Sequence, residues 1–90
     1  MYVERWEDFI LCISNLTPIL PDEDKVTCMK VVIWADEQNN RYSGINQDEI
    51  NWVFGWLKRI RDRNTGELRA DLSRAMAFIL FLNTVRPADT

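Results

Sequence analysis

Residues 26–35 read VTCMKVVIWA, and whether that run is a strand or a helix decides the fold. Apart from Thr27 and Lys30 it is apolar, and half of it is β-branched, which suits a buried strand as well as a helix. Its surroundings favour the helix. Pro21 followed by Asp22, Glu23 and Asp24 suits a first helical turn, where proline forfeits no hydrogen bond and carboxylates meet the positive end of the helix dipole. The rest of the chain offers no convincing strand for this one to pair with. The segment 21–39 is therefore read as a helix, with a strand over 26–35 as the competing reading.

On the N-terminal side, Tyr2, Trp6, Phe9, Ile13 and Leu16 fall on one broad face at about 100° per residue, opposite Glu4, Asp8 and Asn15. That is an amphipathic helix, stopped by Pro18. On the C-terminal side the chain breaks at Asn39-Asn40 through Gly44. A third helix then starts from Asn46 as N-cap, with Glu49 three residues later in a capping-box arrangement. Asn64-Thr65-Gly66 separates it from a fourth, whose stripe is Leu68, Leu72, Ala75, Ile79 and Leu82 and which ends before Pro87. The last two turns of this fourth helix are apolar nearly all round, so it is expected to be the central one. The expected fold is all-α, a compact bundle of about four helices over residues 2–16, 21–39, 47–63 and 67–85, forming a single domain across 1–90.

Composition supports a packed core: 47% of the residues are hydrophobic, with four Trp and four Phe. Cys12 and Cys28 lack a close pairing motif, and each sits in an apolar run, so both are read as core thiols. The longest apolar run, 75–82, falls far short of the roughly 20 residues a membrane span needs. No basic segment followed by an apolar core opens the chain, so a cytoplasmic protein is expected. The net charge of −3 conceals an asymmetry. Residues 1–56 hold four basic and ten acidic side chains, net −6, whereas 57–74 hold six basic and three acidic, net +3.

An enzyme is not expected. There is no histidine, which removes the commonest general base and the commonest imidazole ligand together. Gly44, Gly55 and Gly66 form no phosphate-binding fingerprint. The acids 22–24, 36 and 37 are read as dipole partners and solvated surface, and 36–49 lacks the glycine and glutamate positions of a calcium loop. No cofactor and no metal are expected.

The feature that points to a function lies on the third helix. Ile50, Val53, Phe54, Leu57 and Ile60 occupy an arc of about 120°, a normal core face. The opposite side carries Trp52, Trp56, Arg59 and Arg63 within about 60°. Tryptophan and arginine are the residues most enriched at binding hot spots, so this stripe is the candidate partner-binding surface. The competing reading is that another element covers Trp52 and Trp56 and makes them a second core face. Truncating Trp56 separates the two, costing binding in the first case and stability in the second.

A second candidate surface is on the last helix, where Arg74, Phe78, Phe81 and Val85 lie off the main stripe. Left uncovered, they form a self-complementary patch and the chain is a homodimer. The leading expectation is thus a non-enzymatic protein-binding domain, an inhibitor or adaptor that masks a surface on a larger machine. Its profile, small, acidic and helical, is one common among phage-encoded inhibitors, immunity proteins and accessory subunits. Two alternatives use charge: a nucleic-acid-associated regulator with the basic 58–63 segment on phosphates, and an acidic decoy whose first-half carboxylates imitate phosphates. Direct nucleic-acid binding sits poorly with an acidic protein, and no membrane partner is expected.

Overall fold

The computed structural model describes residues 2–41 and 46–85, with side chains as far as Leu82. The chain breaks expected at Gly44 and at Arg86-Pro87 lie outside the described residues. Among the described residues there are four helices, α1 (Trp6–Leu16), α2 (Asp22–Asn39), α3 (Gln47–Asp62) and α4 (Gly66–Val85), with a short 3-10 segment at Thr17–Ile19 after α1. The run 26–35 lies wholly inside α2, and there is no strand among the described residues.

Local chemistry sets the ends. α1 starts four residues later than its periodicity suggests, because the Asp8 carboxylate accepts the backbone N–H groups of Glu4 and Arg5 at 3.2 Å each and holds Arg5 extended (φ −138°). Residues 2–4 therefore lead into the helix as a non-helical segment. α2 begins directly after Pro21, with Asp22, Glu23 and Asp24 in its first turn. Asn46 caps α3 as expected, its side chain accepting from Asp48 N at 2.8 Å and Glu49 N at 3.3 Å. Gly66 reverses the chain into α4 at φ +65°, a left-handed conformation that favours glycine.

Long-range contacts fix the topology. Asn39 Nδ2 at the end of α2 donates to Glu7 at the start of α1 at 3.3 Å. Arg63, just past α3, reaches Asp24 at the start of α2. Trp6 packs on Phe78 while Cys12 faces the Asp71 carbonyl, so α1 and α4 also run in opposite directions. Each helix packs against its two chain neighbours around the ring, α4 closing on α1, and neither diagonal pair approaches.

This ring corrects one expectation. α4 is not central, since no helix is surrounded. Its inner side, with Leu72, Ala75, Met76, Phe78 and Ile79, is buried, while Ala77, Leu80 and Phe81 remain exposed. The core has the same character in every helix: Phe9, Cys12, Ile13 and Leu16; Cys28, Val31, Trp34 and Ala35; Ile50, Val53, Leu57 and Ile60. At one end Trp6 is the hub, its ring edge-to-face with those of Phe9, Trp34 and Phe78 at centroid separations of 5.8, 5.4 and 5.2 Å.

Candidate functional site

The bundle divides the Trp-Arg stripe of α3 into two parts. Because α3 packs on α4 and, more sparsely, on α2, the side of α3 away from both stays open. Trp52 stands there 58% exposed. Trp56, one turn on, is half-buried and packs against the core. With Arg59, Ile60 and Arg63 it forms one wall of a recess of about 170 Å³, whose other wall is Glu23, Asp24 and Thr27 of α2.

Arg63 is engaged within the fold. Its Nη2 donates to Asp24 Oδ1 at 2.5 Å, and the Asp24 side chain is only 6% exposed. The sequence reading grouped Asp24 with Asp22 and Glu23 as a surface acid. The signal that separates them is spacing, since residues 24, 28, 31 and 35 share the inward face of α2.

The cations of the 58–63 segment are mostly spoken for. Lys58 Nζ donates to Asp62 at 3.1 Å, Arg61 donates to the same carboxylate at 3.2 Å, and Arg63 faces Asp24. The Lys58 hydrogen bond, reinforced by Arg61, holds the Asp62 carboxyl below its usual range. Arg59 alone in this run forms no ion pair among the described residues. The freely presented part of the stripe is thus Trp52 and Arg59, two turns apart on one rigid helix.

The second candidate surface is also split. Phe78 is buried, covered by Trp6 and Phe9 of α1, and belongs to the core. Phe81 is 61% exposed, and Arg74 is exposed, donating to Asp71 within its own helix. The Val85 side chain lies outside the described residues. Tyr2, Val3 and Glu4, which the sequence reading assigned to α1, instead run beside α4 and enclose with Arg74, Ala77 and Phe81 a groove of about 540 Å³.

A third surface was missed. Val26, Met29 and Ile33 project outward from α2, all more than half exposed. Met29 and Ile33, with Val32, border a groove of about 320 Å³ whose other side is Ser14, Thr17 and Pro18. The 26, 29, 33 spacing was visible, but a run this apolar reads as wholly buried.

Both cysteines are free and buried. Burial, aided by the nearby Asp71 carboxylate, pushes the Cys12 thiol up to about 11, and burial likewise raises Cys28. Among the described residues no group of three metal-binding side chains converges, and no helix is long and apolar enough to cross a membrane. No family model matches the chain, and neither a curated protein nor a solved structure does.

Proposed function

We propose that the chain is a non-enzymatic protein-binding domain that acts as a small inhibitor or adaptor by masking a surface on a larger protein. Its contact centre is the open face of α3, with Trp52 as the apolar anchor, Arg59 as the charged one, and Trp56 as the firm floor between them. The observation that carries this reading is Trp52, an indole left mostly in water on a capped helix whose inner face is fully packed. Burying such a ring in a partner's pocket recovers on the order of 2 kcal/mol or more, and a guanidinium two turns away selects a partner with a carboxylate at that spacing. The two free thiols support placing it in a reducing compartment, the cytoplasm.

The nucleic-acid reading draws less support, since Lys58, Arg61 and Arg63 already face carboxylates of this chain and, within the basic 58–63 segment, Arg59 alone forms no ion pair among the described residues. The test is affinity capture from the native host with the wild type and a Trp52→Ala/Arg59→Ala variant. Both residues are exposed, so the variant is expected to keep its helical circular dichroism while losing the partner. A partner captured equally by both proteins overturns the reading.

A further inference from the structure

We propose that the groove between the N-terminal segment and α4 is a self-association surface whose occupant is the same face of a second copy of the chain. Along α4 the outward residues Ala70, Arg74, Ala77 and Phe81 follow a 4-3-4 spacing, the seam pattern by which one helix pairs with another. Small and large alternate on this seam. Phe81 projects into solvent one turn from Ala77, where the absence of a longer side chain leaves the groove open. Tyr2, 88% exposed, supplies the opposite wall.

The face also carries its own charge complement. Glu4 and Arg74 lie on opposite walls of the one groove; Arg74 donates through Nη1 to Asp71 of its own helix and keeps its other guanidinium N–H groups for a second carboxylate. A twofold axis perpendicular to α4, passing between Ala77 and Phe81, sets each Phe81 ring over the partner copy's Ala77 and brings each Arg74 toward the partner copy's Glu4. That is the condition for an isologous contact, in which one patch meets itself. The α1–α2 groove lacks this property, because its lining of Ser14, Thr17, Pro18, Met29, Val32 and Ile33 bears no charge to select an occupant. Self-association leaves the α3 face free, so a dimer presents two Trp52 anchors to partners.

Sedimentation velocity from about 10 μM to about 1 mM tests the proposal, spanning the affinities expected of a contact of modest area. A concentration-dependent dimer is expected for the wild type. Phe81→Glu and, separately, Ala77→Arg shift it to monomer with an unchanged melting temperature. Glu4→Arg and Arg74→Glu each weaken the dimer at least tenfold, and the double reversal restores it. A wild type that is monomeric throughout, or a dimer indifferent to Phe81→Glu and Ala77→Arg, overturns the proposal, as does another protein found on this face of a strictly monomeric chain. Trp52→Ala leaves the dimer intact, so this inference and the α3 reading fail separately.

Discussion

Asp24 and Arg63, thirty-nine residues apart, are joined by a 2.5 Å hydrogen bond that ties the start of α2 to the end of α3. The carboxylate is buried and the guanidinium about half exposed, so the arginine closes over a charge that would otherwise lie under the surface unpaired. Arg63→Ala is expected to cost about 1–2 kcal/mol, less than a fully buried pair because solvent screens the arginine. In a domain of this size that lowers the melting temperature by roughly 5–15 °C. The double replacement Asp24→Leu/Arg63→Leu, which leaves no charge stranded, should melt higher than Arg63→Ala, and the reverse order would show that the pair adds little.

The two tryptophans of α3 should separate in thermal melts. Trp52→Ala is expected to change stability by less than about 0.5 kcal/mol, as for an ordinary surface site. Trp56 packs against the core, so Trp56→Ala is expected to cost about 1–3 kcal/mol. The sequence pattern alone treats them as equivalents. Only the course of α2 past the second half of α3 distinguishes them, and that is a tertiary fact.

The thiols make stability depend on alkaline pH. Folding raises Cys12 from 9.0 to about 11, so the unfolded chain loses this proton first as pH rises. Its contribution is fully present below pH 9 and is lost progressively toward pH 11, amounting to roughly 2–3 kcal/mol. Urea titrations at pH 7 and pH 10.5 should show that loss, and Cys12→Ala should flatten the pH profile. At pH 8 both thiols should react with a disulfide reagent far more slowly in the native protein than in urea.

Gln38 is an opportunity for stabilisation. Its side-chain amide nitrogen is buried with no hydrogen-bond partner among the described residues, as is the indole nitrogen of Trp34 one turn before it. Gln38→Met keeps the length, removes the unsatisfied donor, and is expected to raise stability by about 1 kcal/mol in a denaturant titration.

Gly55 lies mid-helix in α3, and a methyl group there meets nothing within 4 Å among the described residues. Gly55→Ala should therefore stabilise the protein by about 0.5–1 kcal/mol through the unfolded chain's lost freedom. A loss of partner binding with that gain in melting temperature would place Gly55 inside the contact made by Trp52 and Arg59.

The sequence by itself determined the number of helices, the Asn46 cap, the Gly66 turn and most of the core, because these rest on interactions within a few residues or on a strict 3.6-residue period. It also singled out α3 as the helix with an aromatic and basic outer face. What it left open was which apolar residues stay in water. α2 and α4 are apolar on two sides, and periodicity shows both sides without saying which has a neighbour. The closed ring of four helices decided that: it covered Phe78 with α1, drew Arg63 onto Asp24, and left Trp52, Phe81 and the Val26–Met29–Ile33 line outside. The N-terminal segment likewise became a wall of the α4 groove only because Asp8 delayed the start of α1 and laid Tyr2, Val3 and Glu4 along a helix about seventy residues away. Burial is a property of pairs of elements, and those pairs exist only in the folded chain.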